Sequence, residues 1–476
     1  MATWGRVLLT GSVPAPDGTW ENIASPAILR GLSNVRVQQI GASASSQHAL
    51  FLTLDGDVYV YGANGAGQCG LDARTVVSEP HKLDRQSDFR PPLAEGETVV
   101  HVAAGAEHSL LATSYGHVYA TGSNSHGQCG LGSVRTASPF TRLDPVPFGE
   151  DRAWQVGCGR TFGLILGESG KVYAMGSTIY GQLGTDELGA EAVSASAWQF
   201  RQRALPVPLA LENVIQIACG ATHAVALDTE HFVYTWGENR FGRLGCGTQR
   251  DQMAPVRVEQ FASKPKHARV QRVVAGRDAT VCLDLEQNYW IAGRTRVTGD
   301  GGLGQGYYIF KPLAALEELD TYKAALGVDG LYCAAGAQGE GARAYAWGQG
   351  ASHGELGVRR APADPAPLAS LREVAVVDVA SAAHTSFWLV EPGKAYGELP
   401  RLPHAVDSAD ACLVCHAADD EAQLLACDKC ENPYHLGCLR PKLAAIPDDE
   451  WFCDACGGTA AAGPPVVSAP RKRRRR

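Results

Sequence analysis

A segment of alternating valine and tyrosine ending in glycine returns along the chain at nearly even intervals, and this periodicity constrains the fold more than any other feature. The close copies are Val58-Tyr59-Val60-Tyr61-Gly62, Val118-Tyr119-Ala120-Thr121-Gly122, Val172-Tyr173-Ala174-Met175-Gly176 and Val233-Tyr234-Thr235-Trp236-Gly237. Tyr289-Trp290-Ile291-Ala292-Gly293 and Ala344-Tyr345-Ala346-Trp347-Gly348 repeat it loosely. Together with Gly11, the glycines lie 51 to 61 residues apart. That period is too long for helical repeats and suits about four short strands with their loops, the size of a propeller blade.

The unit has a readable internal plan. Ala49 to Leu54 is apolar enough for an inner strand, Asp55-Gly56 supplies the chemistry of a tight hairpin, and Val58 to Tyr61 returns as the next strand. Neither end of the repeat region makes a whole unit. Residues 5–11 match only the outer half of the pattern and residues 374–390 only the inner half. Six whole units and two complementary halves predict seven blades, with the N-terminal strand completing the last one and removing the free sheet edge.

A histidine precedes several hairpins, in Gln47-His48-Ala49, Glu107-His108-Ser109, Thr222-His223-Ala224 and Ala383-His384-Thr385. The equivalent places elsewhere read Arg160-Thr161-Phe162, Arg277-Asp278-Ala279 and Asp329-Gly330-Leu331. A ring of ligating or catalytic histidines is one reading. A structural histidine beside each inner strand is the favoured one, because a feature repeated with the architecture belongs to the architecture.

These repeats resemble the regulator of chromosome condensation (RCC1) family, whose units combine a Gly-x-x-His segment, a Val-Tyr-x-Trp-Gly strand and a Gly-Gln-Leu-Gly turn. Gly67-Gln68-Cys69-Gly70, Gly127-Gln128-Cys129-Gly130, Gly181-Gln182-Leu183-Gly184, Gly242-Arg243-Leu244-Gly245 and Gly354-Glu355-Leu356-Gly357 are the matching turns. The resemblance covers residues 1–398 and implies an all-β, seven-bladed β-propeller. Activity does not follow from it, since the family includes guanine-nucleotide exchange factors, light receptors and interaction platforms. The exchange factors insert a wedge into a small GTPase. Here the longer segments 72–97, 186–212 and 308–322 are candidates for a wedge by size alone, and the fifth unit, with Arg294 to Val297 and Gly299 to Gly302, departs most from the pattern.

Composition divides what remains. The net charge of −8 is uneven: residues 405–456 hold eleven acidic and three basic residues, and the last twenty hold six basic ones. No segment approaches the roughly 20 apolar residues of a bilayer span, which predicts a soluble intracellular chain with no membrane partner. Seven cysteines are scattered through the propeller and read as small buried apolar residues. The other seven crowd into residues 412–456, where His435 joins them in a spaced set of eight: Cys412, Cys415, Cys427, Cys430, His435, Cys438, Cys453 and Cys456. Eight soft ligands in pairs suit two tetrahedral zinc ions. A segment this short has too little core to fold alone, and structural zinc supplies on the order of 10 kcal/mol.

Histidine as the fifth ligand and Trp451 two residues before the seventh make this module similar to the plant homeodomain (PHD) finger. That resemblance implies a cross-brace, with Cys412, Cys415, His435 and Cys438 on one zinc and Cys427, Cys430, Cys453 and Cys456 on the other. Gln423 to Glu431 looks like the subgroup that binds the unmodified tail of histone three. The expected tail contacts are Gln423, Leu424 and Leu425 through strand addition, Asp428 and Glu431 to an arginine, and Asp419, Asp420 and Glu421 to an unmethylated lysine, with Trp451 beside them. Carbonyls near Ile446 to Asp449 would receive the tail's free amine. Pro433 and Asp410-Ala411 stand where a methyl-lysine cage would need aromatic walls.

The expected organisation is therefore a propeller at 1–398, a linker at 399–408, a finger at 409–457 and a flexible tail at 458–476. That tail ends in Arg471-Lys472-Arg473-Arg474-Arg475-Arg476, which reads as a nuclear-import signal with nonspecific DNA contact as a second use. The functional expectation is a nuclear, non-enzymatic, chromatin-associated protein whose finger reads a histone tail and whose propeller holds another protein. The alternative is an exchange factor for a small nuclear, Ran-like GTPase anchored on chromatin.

Overall fold

The computed structural model describes residues 4–457 apart from 73–74, 133–135, 144–148, 150, 186–201, 295–305, 314–315, 317–318, 329, 337–342, 349–351, 359–363, 394–395, 404–407, 418–423 and 448–449. Most of the fifth unit's divergent stretch, part of the 186–212 segment and the basic tail lie outside the described residues.

Seven sheets follow one another along the chain, antiparallel except for one short parallel strand added to each of two. The first complete blade shows why. β3 (Val37–Gly41), β4 (His48–Thr53), β5 (Val58–Ala63) and β6 (Val76–Lys82) pair in chain order. β4 is buried along its whole length, as expected of a strand covered on both faces. Gly56 turns the β4–β5 hairpin at φ +75°. Gly62, the repeated glycine, sits at φ +108° where the β5–β6 register slips. A Cβ there would lie 2.5 Å from the carbonyl oxygen of Gln47. Positive φ and close backbone approach together make glycine obligatory at this bulge, which accounts for its return in every unit.

Ring closure needs two N-terminal strands, one more than the sequence predicts. β1 (Arg6–Pro14) pairs with Thr385–Val390, and β2 (Trp20–Leu29) follows β1 outward. The seventh blade is thus built from Val376–Ser381, Thr385–Val390, β1 and β2. Arg401–Leu402, within the stretch expected to be a linker, adds a fifth, parallel strand to β2. Gly5 and Val37 exchange backbone hydrogen bonds of 2.8 and 3.2 Å, tying the seventh blade to the first.

The core lies between blades. Alternate residues of β1 enter different clusters: Leu8 packs with Tyr332, Leu356 and Trp388 towards the sixth blade, and Leu9 with Val37, Phe51 and Phe387 towards the first. Period-two geometry makes one strand serve both junctions. Five scattered cysteines, Cys69, Cys129, Cys158, Cys282 and Cys333, are buried, and Cys219 and Cys246 are half-buried; all are free thiols. No helix among the described residues is long and apolar enough to cross a membrane.

The histidine pattern needs correcting in register. The position opposite the bulge glycine is His48, His108 and His223 in three blades, but Phe162, Ala279 and Thr385 in the third, fifth and seventh. Thr161, Asp278 and His384 therefore lie one residue before it. Sequence alone misplaced them because only the strand register separates neighbouring positions there.

Candidate functional site: the zinc-ligand clusters and the acidic face beside them

The finger is organised by its ligands. Leu424–Ala426 pairs antiparallel with Pro433–His435, a single 3-10 turn carries Leu436–Cys438, and a helical turn spans Asp454–Gly457. Each of the first two Cys-x-x-Cys pairs is followed by a residue at φ +57°, His416 and Glu431, which folds the backbone into a tight knuckle. The donor atoms of Cys412, Cys415, His435 and Cys438 lie within 4.8 Å of one another, as do those of Cys427, Cys430, Cys453 and Cys456. This is the cross-brace pairing implied by the sequence resemblance.

The donor chemistry fits zinc. The Nδ1 atom of His435 is 3.2 Å from Cys415 Sγ, so this ring nitrogen is turned to the sulfurs. N–H groups aim at the sulfurs: the backbone N–H of His435 donates to Cys412 and that of Cys453 to Cys427, both at 3.4 Å, and the side-chain amide of Asn432 donates to Cys430. Burial opposes ionisation of Cys412, but the N–H groups of Cys415, His435 and Val414 together with the Cys415 side chain outweigh it and hold that thiol at about 6. Thiolate is the metal-binding form.

Of the expected tail contacts, Leu424 is half-buried and Leu425 buried in the finger's small sheet. Asp419, Asp420, Glu421 and Gln423 lie outside the described residues, as do Asp448 and Asp449. Trp451 packs edge-on against Tyr434 with ring centroids 5.4 Å apart. Its backbone N–H donates to Asp428 Oδ2 at 2.8 Å, and its carbonyl accepts from the Asp428 N–H at 2.9 Å.

The two carboxylates expected to meet an arginine do so within the chain. Arg401 Nη2 donates to Asp428 Oδ1 at 3.1 Å, and Arg30 Nη2 to Glu431 Oε1 at 2.7 Å. Arg30 is buried and also donates to the Pro403 and Lys429 carbonyls. Arg6 Nε reaches Glu450 Oε2 at 3.2 Å. Burial raises the pKa of Glu450, with Arg6 acting against it. Asn34 joins the same seam, accepting from Lys429 Nζ at 3.1 Å and donating to the Cys456 carbonyl. Sequence reasoning missed all four propeller-side partners. The three arginines offered only their charge and Asn34 only its amide, and neither carries an address.

The aligned histidines are structural. Burial, with the His108 charge behind it, lowers His48 to about 3; burial lowers His108 to about 4; burial and then Arg243 hold His223 well below the usual range. His48 and His223 contact Ser109 and Thr280 of the next blade through Nε2, at 2.7 and 3.0 Å. A Cβ at Gly105 or Gly220 would strike the ring of His108 or His223, which explains the Gly-x-x-His spacing. His384 instead stacks on His353, with ring centroids 4.2 Å apart, and forms a group with Glu355 whose donor atoms lie within 4.8 Å. There Glu355 accepts from the His353 N–H, as Gln68 and Gln128 accept from Ala66 and His126 in earlier blades.

Comparison with known proteins agrees with both parts. The RCC1-like domain family matches residues 3–388, and the PHD-finger family matches residues 412–456. Protein RCC2 homolog from Xenopus laevis is 29% identical over 299 residues, covering 59% of this chain and 55% of that protein. The ultraviolet-B receptor UVR8 from Arabidopsis thaliana is 31% identical over 291 residues, covering 60% of each. The chain thus spans little more than half the length of these relatives. Among solved structures, Prp20p from Saccharomyces cerevisiae superposes with a TM-score of 0.68 at 21% identity, covering 82% of this chain and 92% of its own. Human WBSCR16 gives a TM-score of 0.63 at 20% identity, covering 81% and 99%. With the propeller matched over residues 3–388 and the finger over residues 412–456, the chain belongs to the RCC1-like domain family and carries a C-terminal PHD finger.

Proposed function

We propose that this is a nuclear, chromatin-associated binding protein whose finger reads the unmodified N-terminal tail of histone three, while the propeller serves as a rigid disc for a second protein. The observation that carries the reading is the finger's small sheet. Leu424–Ala426 is hydrogen-bonded to Pro433–His435 on one side, and among the described residues no strand pairs with its other edge. A peptide adding there gains main-chain hydrogen bonds for affinity, with side-chain contacts giving specificity. Two ions of zinc hold that sheet, one in each ligand cluster. Prp20p, similar in fold, is described with binding properties to Gsp1p and histones. The basic C-terminal run supplies the import signal in this reading and can touch DNA phosphates without sequence preference.

The test is calorimetric titration of the zinc-loaded full chain with an unmodified histone three tail peptide and with the same peptide trimethylated on its lysine. Binding restricted to the unmodified peptide is expected; equal binding of both, or of neither, refutes the assignment. The rival reading is nucleotide exchange on a small nuclear GTPase. A mouse secretion-regulating guanine nucleotide exchange factor, 29% identical over 290 residues, gives that reading its footing. Accelerated nucleotide release from a loaded Ran-like GTPase would establish it.

A further inference from the structure

We infer that the acidic face of the finger is an arginine-binding surface occupied by the chain's own arginines, so that an arginine-bearing peptide engages it by exchanging with Arg30 and Arg401. The inference rests on the tail-reading proposal for the identity of the peptide but not for the seam itself. Among the described residues, three ion pairs cross from the seventh blade to the finger: Arg6 with Glu450, Arg30 with Glu431 and Arg401 with Asp428. The arginines come from β1, from the turn after β2 and from the strand added beside β2. All three belong to the blade that closes the ring.

Burial separates the pairs into two kinds. The Arg401–Asp428 pair is shielded, with side chains 17% and 5% exposed. Asp428 is further held by the Trp451 N–H. Removing one partner from such a pair leaves a buried charge, which is costly. The Arg30–Glu431 pair is lopsided: the Arg30 side chain is 6% exposed and that of Glu431 43%. Glu431 can therefore return to water or take another guanidinium without leaving an orphaned carboxylate, and Arg30, though buried, keeps its bonds to the Pro403 and Lys429 carbonyls. Exchange should begin at Glu431, with Arg401 yielding second. Guanidinium is the fitting competitor because it presents several donors in a fixed fork, whereas lysine offers a point charge.

The experiment uses zinc-loaded full chain, parent against Arg30→Ala with Arg401→Ala. It reads hydrogen exchange over residues 424–435 and affinity for the unmodified histone three tail peptide. The double variant should speed exchange along the seam and tighten the peptide by at least about tenfold, because the competing internal state is lost. Unchanged exchange would show that the seam is not a dock, and faster exchange with unchanged affinity would show that the arginines are not competitors; either overturns the inference. A second probe, an acetylated peptide with one arginine among alanines, separates this inference from the tail reading. If the variant binds that probe while the histone peptide gains nothing over it, the tail reading fails and the exchange stands. If neither peptide binds the variant, the exchange fails. Should the double variant not fold, the swap Arg30→Glu with Glu431→Arg keeps opposite charges in place. It should keep slow exchange and lose peptide binding, and parent-level binding by the swap would refute the inference.

Discussion

Leu9→Ala tests ring closure directly, because Leu9 is fully buried between the seventh blade and the first, on a strand more than 360 residues from its partner. It lies opposite Phe387 on one side and Ala27 on the other. The substitution removes three carbon groups, each about 0.8 kcal/mol of transfer free energy. A cavity term adds to this, since β1 is clamped on both edges and cannot settle inward, so the expected loss is about 3 to 5 kcal/mol. Leu54→Ala is the control: Leu54 is 38% exposed in a hairpin, and its loss should cost no more than about 0.5 kcal/mol. Urea unfolding followed by tryptophan fluorescence is the assay, with Trp388, buried opposite Leu8, as a reporter inside the closing blade. The midpoint should fall with little change in slope. A loss below about 1 kcal/mol, or one equal to that of the control, would mean that β1 does not complete a packed ring.

Two further outcomes follow from the same structure. Acid should destabilise the propeller before its carboxylates titrate. His48 and His108 are held at about 3 and about 4 in the folded chain, so below the ordinary histidine range the unfolded chain binds protons that the folded chain refuses. Stability is therefore full above about pH 6.5 and falls as the pH drops towards 4, by about 2 kcal/mol for each histidine at pH 5; a flat stability profile from pH 7.5 to 5 would contradict this. Chelation should release two zinc ions per chain, read by a colorimetric indicator, and unfold residues 412–456 while the propeller's circular dichroism persists; a finger that keeps its hydrogen-exchange protection without zinc would refute the structural role of the ligand clusters.

The parts of this molecule that were legible in its sequence are those in which a local rule repeats. Gly62 recurs because each bulge needs positive φ and no Cβ, and the cysteine pairs recur because tetrahedral metal binding fixes their spacing. Local rules lose precision where neighbouring positions can trade roles. Thr385 rather than His384 aligns with His48, since only the strand register distinguishes two adjacent polar residues. The second N-terminal strand was missed for a related reason: the exposed half of β2, from Trp20 to Ser25, carries no apolar alternation to mark it.

Sequence was least informative where two distant segments meet. Arg30 and Glu431 are 401 positions apart, and nothing periodic links them. A carboxylate beside a zinc knuckle indicates that a guanidinium is wanted, but leaves open whether a histone or the chain itself provides it. The fold decides, because closing the ring brings β1 and β2 into the blade on which the finger sits. A lesion in β1 should therefore reach the finger too: it would weaken the packing around Leu9 and displace Arg6 from Glu450, so ring closure and presentation of the acidic face are physically one event.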